Sequence, residues 1–184
     1  MNRSDVDREE RDVARYRFVD EWHVPASADR VYELLSRPRD YPTWWSDAFL
    51  RGAGDDGPAA PGKRAWLLTR GRLPYRLRWE LTCVEAVVPR RLVSGVRGDF
   101  VGTGTWTLTE VDGGTLVVLD WDVEIRKPIV RHLTPLLRPL FAWNHRWAMQ
   151  RGQERIVGLL EEQAPPSPAR GSRPPAPGLR RRSA

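Results

Sequence analysis

Few side chains in this 184-residue chain could carry acid–base chemistry near neutral pH, and His145 is the clearest of them. It falls on the apolar face of a predicted helix, between Phe141 and Met149. A neutral imidazole that faces a cavity could orient a ligand or act as a general acid or base. The same position also fits a buried structural histidine that a neighbouring group satisfies, which is the commoner situation for this residue type.

Two further polar side chains fall on faces that are otherwise apolar. Tyr75 begins the inward face of a predicted strand, where its phenol could stand at one end of a pocket or, as an amphipathic residue, at the rim. Asp20 shares a strand face with Phe18 and Trp22, and a carboxylate is costly to bury without a partner. We therefore expect Asp20 either to pair with an arginine such as Arg151 or to lie in water near the strand end.

The sequence indicates no metal, nucleophile or phosphate site. His23, His132 and His145 lack the spacing of metal ligands, and Cys83 is the only cysteine, so we predict neither a metal nor a cofactor. A Gly-x-Ser-x-Gly elbow and a phosphate-binding glycine loop are both missing. Gly102-Thr-Gly104 falls within a strand pattern, where glycines leave room for curvature or for a ligand to approach the backbone. We interpret Cys83 as a small inward-facing hydrophobic residue.

Nine tryptophans are many for a chain of this length. Ligand pockets are lined mainly by apolar and aromatic side chains, so several of these rings could surround a ligand. The alternative is that they fill the core, the usual place of a large aromatic side chain. Trp44 and Trp45 could take either role, ligand contact or core residue, because adjacent residues are not expected to point into one core together. The predicted ligand contacts are Trp44, Trp45, Trp66, Tyr75, Trp79, Trp106, Trp121, Phe141, His145 and Met149.

Apolar and polar residues alternate over most of the chain. This alternation predicts antiparallel strands, which would position the candidate side chains. The clearest strand places Tyr75, Leu77, Trp79, Leu81 and Cys83 on one face. The predicted strands cover residues 16–24, 48–51, 64–69, 75–83, 92–96, 100–111 and 117–125.

Helices are predicted near both ends of this strand series. Ser27 is a suitable N-cap for a short helix with a buried stripe of Val31, Leu34 and Leu35, and a second short helix or turn follows after Pro38. Residues 129–139 are predicted to form an irregular or short helical stretch, since they contain two prolines. A long straight helix is then expected from about residue 140 to residue 162.

Composition divides the chain into a polar extension (residues 1–14), one domain (residues 15–163) and a Pro/Arg-rich tail (residues 164–184) that we expect to be disordered. The tail supplies five of the six net positive charges, so the rest of the chain is nearly neutral and no specific nucleic-acid surface is expected. No apolar run is long enough to span a membrane, and no secretory signal is visible. Together with the single cysteine, these features favour a cytoplasmic location.

Four segments carry a resemblance to a known family: Val24-Pro-Ala-Ser-Ala-Asp-Arg-Val-Tyr-Glu-Leu-Leu35, Tyr41-Pro-Thr-Trp-Trp45, Val84-Glu-Ala-Val-Val-Pro-Arg-Arg-Leu92 and Gly104-Thr-Trp-Thr-Leu108. Over residues 16–163 the chain resembles the SRPBCC (START-like) superfamily, and within it the proteins of the polyketide cyclase/dehydrase type. The resemblance implies an α+β helix-grip fold. In that fold a curved antiparallel sheet of about six to seven strands wraps around a long C-terminal helix, with two short helices after strand 1.

An enclosed space between sheet and helix implies a small hydrophobic partner and does not by itself imply a reaction. The first hypothesis is a module that binds an aromatic, polyketide-like or lipid-like molecule, with His145, Tyr75 or Asn144 giving specificity. The second is a cyclase or dehydratase that uses His145 or Tyr75 as acid and base. The third is an interaction protein whose basic tail contacts an acidic partner. The oligomeric state is left open.

Overall fold

The computed structural model describes residues 15–126 and 134–163. The polar extension (residues 1–14), the Pro/Arg-rich tail (residues 164–184) and part of the stretch predicted to be irregular (residues 129–133) lie outside the described residues.

Seven strands form one antiparallel sheet, which confirms the predicted architecture. The strands are β1 (Arg15–Val24), β2 (Phe49–Gly54), β3 (Arg64–Arg70), β4 (Arg76–Val87), β5 (Arg91–Gly98), β6 (Phe100–Val111) and β7 (Gly114–Ile125). Their order across the sheet is β1-β7-β6-β5-β4-β3-β2, so β1 and β2 are the edge strands and β1 pairs with the last strand. Every neighbouring pair is antiparallel.

The sheet has one dry face and one wet face, as the alternation predicts. In β4 the side chains of Leu77, Trp79, Leu81 and Cys83 are buried, and the residues between them are partly or fully exposed. On the outer face, Arg15 and Arg17 of β1 form ion pairs with Asp122 and Asp120 of β7, at 2.6 and 2.7 Å. These pairs are exposed to solvent, so they set the register of β1 more than they add stability.

Two short helices and a 3-10 turn follow β1. Helix α1 spans Ala28–Leu35, the 3-10 turn spans Pro38–Asp40 and α2 spans Tyr41–Trp44. Ser27 occupies the N-cap position with extended backbone, but its side chain makes no capping hydrogen bond, so the predicted role of its hydroxyl is wrong. The buried side of α1 carries Val31, Tyr32 and Leu35.

The long C-terminal helix, α3, spans Thr134–Glu162 and therefore begins earlier than the sequence analysis predicts. Pro135 lies in the first turn, where a missing N–H costs no intrahelical bond. Pro139 lies inside the helix, and the loss there is a single bond to the first turn. The predicted inward stripe is confirmed for Phe141, Met149 and Ile156, which are all buried.

Trp45 holds helix α3 against the concave face of the sheet. The indole Nε1 of Trp45 donates a hydrogen bond of 3.0 Å to the carbonyl oxygen of Ala148. Its ring lies over Gly152, and Trp22 of β1 packs edge-on against the same ring at 5.4 Å between centroids. No helix among residues 15–126 and 134–163 is long and apolar enough to cross a membrane.

Candidate functional site

A cavity of about 190 Å³ lies between the concave face of the sheet and α3. Its interior is mainly aromatic and aliphatic. The apolar residues that line it include Phe18, Leu35, Tyr41, Trp45, Phe49, Tyr75, Leu77, Trp79, Leu81, Leu92, Phe100, Trp106, Leu119, Trp121, Val123, Phe141 and Met149. Such an apolar space with few polar groups is the usual form of a small-molecule site.

A row of small residues across the middle strands creates this space. Cys83 of β4 pairs with Ser94 of β5, and Ser94 pairs with Gly104 of β6, so three short side chains lie side by side on the concave face. Each of the three lines the cavity. Cys83 was predicted to face inward. Ser94 was not predicted as a cavity residue, because a single serine in a strand does not indicate a ligand contact.

The room above Gly104 is partly taken by Trp121, its cross-strand neighbour on β7. A Cβ atom at Gly104 would lie 2.7 Å from the Trp121 ring, well inside contact distance. The space that the glycine leaves on this face is filled by an indole ring of the protein itself. Gly104 therefore fixes the position of one wall of the cavity.

The floor of the cavity is a cluster of rings in edge-on contact. Trp79 packs against Trp121 at 5.4 Å and against Phe100 at 5.7 Å between ring centroids. The indole N–H of Trp79 donates a hydrogen bond of 3.0 Å to the hydroxyl of Thr69. Because its only polar atom is satisfied within the protein, Trp79 presents an apolar surface to whatever enters.

Eight of the ten predicted ligand contacts line the cavity, and Trp44 and Trp66 do not. Trp66 is 47% exposed, because Ala65 and Leu67 on either side of it face inward and the strand alternation turns Trp66 outward. Trp44 is buried and stacks on Trp45, with 5.4 Å between centroids and 24° between planes. The two adjacent tryptophans thus share one core, contrary to expectation, because they lie at a helix end and not in a strand.

His145 lines the cavity and is held from two sides. Its Nε2 lies 2.6 Å from Oδ2 of Asp20, and its ring stacks on Phe18 with 4.1 Å between centroids and 13° between planes. The side chains of His145 and Asp20 are only 17% and 16% exposed. The suggested pairing of Asp20 with Arg151 is wrong, since Arg151 bonds to Glu154 one turn along α3 at 2.7 Å.

Asn144 is already engaged in the structure. Its side-chain oxygen accepts a hydrogen bond of 2.8 Å from the backbone N–H of Arg72, in the loop between β3 and β4. The guanidinium of Arg72 in turn lies over the ring of Trp143, 5.0 Å from its centroid. Asn144 therefore links this loop to α3. Because its side-chain oxygen is already hydrogen-bonded, Asn144 is less suited to binding a ligand than predicted.

Tyr75 stands where the sequence places it, on the cavity wall beside Phe141, with 6.1 Å between ring centroids. Burial raises the pKa of its phenol, and the neighbouring Tyr16 adds to the effect. Burial likewise raises the pKa of Tyr32 and of the fully buried Tyr41. These phenols therefore stay protonated throughout the physiological range, and that of Tyr41 donates a hydrogen bond of 2.7 Å to the carbonyl oxygen of Leu35.

The raised phenol pKa values predict that stability falls in alkali. A folded protein that keeps these protons above about pH 10, where the unfolded chain loses them, is destabilised as the pH rises further. Urea unfolding between about pH 9 and about pH 12 should show this loss, which approaches about 1.4 kcal/mol per pH unit for the fully buried Tyr41 once the pH exceeds the usual phenol pKa of about 10. In a Tyr41→Phe variant the loss should be smaller; an identical pH dependence in the variant would contradict this explanation.

One corner of the cavity is polar and was missed by the sequence analysis. This polar corner consists of Arg37, Arg39, Asp40, Asp55 and Lys63, which all line the cavity. They come from the segment after α1 and from the β2–β3 loop, which meet through a backbone hydrogen bond of 2.6 Å between residues 59 and 36. The charges are scattered along the sequence and carry no motif, so only the fold brings them together.

Within the part of the chain that the structure describes, no group of three or more His, Cys, Asp or Glu side chains could hold a metal ion.

Comparison with protein families gives one match that covers most of the chain. The model of the family described as polyketide cyclase / dehydrase and lipid transport matches residues 15–161. The search of curated proteins found no match.

Several solved structures share the fold at low sequence identity. The ZhuI aromatase/cyclase from Streptomyces sp. R1128 has a TM-score of 0.62 and 15% identity, covering 82% of this chain and 95% of its own. The di-domain aromatase/cyclase StfQ of steffimycin biosynthesis has a TM-score of 0.58 and 15% identity, covering 84% of this chain and 54% of its own. An uncharacterized protein from Rhizobium leguminosarum has a TM-score of 0.59 and 16% identity, covering 82% and 97%.

Proposed function

The chain belongs to the polyketide cyclase/dehydrase and lipid transport family, and we propose that it binds a small aromatic molecule in the cavity between the sheet and α3. The observation that carries the proposal is the cavity itself, whose floor is the ring cluster of Trp79, Phe100 and Trp121. Flat apolar rings pack well against such a floor in offset or edge-on contact.

The size of the cavity narrows the ligand class. An apolar cavity of about 150 Å³ in another protein holds one benzene ring, and typical ligand pockets measure about 300–1,000 Å³. At about 190 Å³, this cavity has room for a compact system of one or two fused rings. Of the ligand classes named by the sequence analysis, the volume therefore favours a compact aromatic compound.

Burial of the ligand supplies the affinity. A two-ring compound that loses about 250 Å² of apolar surface to the cavity gains about 6 kcal/mol before ordering costs. The net affinity is lower, because the loss of the ligand's translational and rotational freedom offsets part of this gain, and a polar contact to the ligand would raise it.

Isothermal titration calorimetry with 2-naphthamide, an uncharged two-ring compound, tests this proposal. We expect one site per chain and a negative heat-capacity change of binding, because apolar surface is removed from water. Absence of binding at millimolar ligand, with the protein folded by circular dichroism, would contradict the proposal.

A second candidate, acid–base catalysis, is favoured by the contact between Asp20 and His145 at the cavity wall. The imidazole would take a proton from the methylene between the thioester and the nearest ketone of a short β-ketone substrate, and the carboxylate would stabilise the imidazolium. The enolate carbon would then bond to another carbonyl carbon, and the imidazolium would return the proton to the new alkoxide. The net result is an aldol ring closure that needs no cofactor.

Turnover of a synthetic tetraketide thioester, the shortest chain in which this closure gives a six-membered ring, tests the second candidate. His145→Gln should lower the rate about 100-fold or more, the usual contribution of a general acid or base. His23→Gln is the matched control, because His23 lies on the exposed face of β1. Equal rates in the wild type and the His145→Gln variant would exclude His145 as the acid–base group. The binding proposal would be unaffected.

A further inference from the structure

Five arginines are exposed together on the outer face of the sheet, on the half that β2 to β5 form. They surround an exposed tryptophan and a half-buried leucine. This set is called the basic face, and it comprises Arg51, Trp66, Leu68, Arg70, Arg76, Arg78 and Arg97.

Strand register places these arginines close to one another. Arg51 of β2 and Arg78 of β4 lie on either side of Leu68 in one cross-strand row. In the neighbouring row, Arg70 of β3 lies directly opposite Arg76 of β4. Like charges directly opposite one another destabilise a sheet, so this arrangement brings the fold no benefit.

Trp66 lies one row further along the same face. It is opposite Glu80, which in turn is opposite Arg97 of β5. The side chain of Trp66 is 47% exposed, although a large aromatic ring is favourable to bury. The basic face therefore combines an accessible apolar ring with cationic side chains around it.

The acidic groups beside the basic face are already engaged. Glu80 lies 3.8 Å from Nε of Arg64. The carboxylate of Asp99 accepts a hydrogen bond of 2.9 Å from the backbone N–H of Arg78. Within the part of the chain that the structure describes, no ion pair is formed by Arg51, Arg78 or Arg97.

The other half of the outer face has a different charge pattern. There Arg15 and Arg17 are each paired with an aspartate of β7. Positive charge is thus concentrated on the basic face, although the residues before the tail are nearly neutral as a whole. A concentrated patch of one sign attracts a partner of the opposite sign.

The aromatic content of the basic face distinguishes between anionic partners. Surfaces that bind single-stranded nucleic acid stack successive bases on several aromatic side chains, whereas this set contains one. A single indole among arginines suits the headgroup region of an anionic bilayer, where tryptophan is enriched and arginine is attracted to phosphate. This end of the sheet also borders the cavity, since Arg70, Gly71 and Tyr75 line both the cavity and a surface depression beside the β3–β4 hairpin.

We propose that the basic face docks on a membrane surface that contains anionic phospholipids. Trp66 lies at the level of the headgroups, and the arginines contact lipid phosphates. The contact is reversible and sensitive to salt, because charge supplies most of the attraction. It does not depend on which ligand the cavity holds.

Flotation of the full chain with phosphatidylcholine vesicles, with and without about 30% phosphatidylglycerol, tests the inference. We expect binding to the anionic vesicles alone, and weaker binding at high salt. The double variant Arg51→Gln/Arg78→Gln should bind about 25-fold more weakly, since each arginine near an anionic surface contributes about fivefold. Trp66→Ala should bind about tenfold more weakly, because less apolar surface is buried.

The charge-matched control is the double variant Arg30→Gln/Arg151→Gln. Arg30 lies on α1 and Arg151 on α3, and both helices are on the concave side of the sheet. The control removes the same two charges and should bind within about twofold of the wild type.

Equal binding by the basic-face double variant and the control would overturn the inference, because other cations, such as those of the tail, would then hold the membrane. Equal binding to vesicles with and without phosphatidylglycerol would overturn it as well, since charge would not be the attraction. Absence of binding to either vesicle would also contradict it. Binding of a labelled single-stranded oligonucleotide that the basic-face double variant loses would, in that case, assign the basic face to nucleic acid.

Discussion

Replacing Gly152 by alanine is expected to lower the free energy of unfolding by about 2 kcal/mol, although alanine is the better helix former by about 1 kcal/mol. A Cβ atom at this position would lie 2.4 Å from Cζ2 of Trp45 and 2.8 Å from Cη2 of Trp22. Neither ring can move aside easily. Trp45 is tied to α3 by its hydrogen bond to Ala148, and Trp22 is among the most deeply buried side chains.

Gly158 provides the matched control within the same helix. Nothing lies within 4 Å of a Cβ atom built there, so only the gain in helix propensity remains. Gly158→Ala should therefore raise the free energy of unfolding by about 0.5–1 kcal/mol. Urea unfolding of the two variants should give shifts of opposite sign. Equal shifts would show that Trp45 does not seat the helix as described.

The second large effect concerns binding. Ser94→Phe should weaken the binding of 2-naphthamide about 100-fold or more, because the new ring would project into the cavity that Ser94 lines. Fold stability should change little, since the added ring enters an existing cavity and loses only the contacts of a hydroxyl.

Val93→Phe is the control for this substitution. Val93 precedes Ser94 on β5 and faces away from the cavity, because Leu92 and Val96 share the inward face with Ser94. The same ring on the outer face should leave the affinity within about twofold of the wild type. A loss of binding in both variants would mean that the ligand site is elsewhere or that β5 tolerates no bulk.

The sheet and the long helix could be predicted because their periodicity is a local property of the chain. The inward row of β4 and the buried stripe of α3 follow directly from spacing. The start of α3 was placed too late, because the two prolines were judged by type and not by their position in the first turns. Trp66 was assigned to the cavity for a similar reason: its strand was recognised, but its face was not deduced from Ala65 and Leu67.

The site itself depended on contacts that no sequence window contains. Asp20 and His145 are 125 residues apart in sequence, and they meet only because β1 packs against α3 in the folded protein. The polar corner depends on the β2–β3 loop returning to the end of α1. Sequence patterns predicted the cavity and its aromatic character, while its chemistry required the tertiary structure.

The central claim is that a small aromatic compound binds inside the cavity, and NMR of the tryptophan indole N–H groups in ¹⁵N-labelled protein tests it most directly. On titration with 2-naphthamide, we predict shifts for the indole signals of Trp45, Trp79, Trp106 and Trp121, which line the cavity. The signals of Trp66 and Trp143, exposed at 47% and 39%, should stay in place. Shifts confined to these two exposed tryptophans, or no shifts at all, would contradict the account.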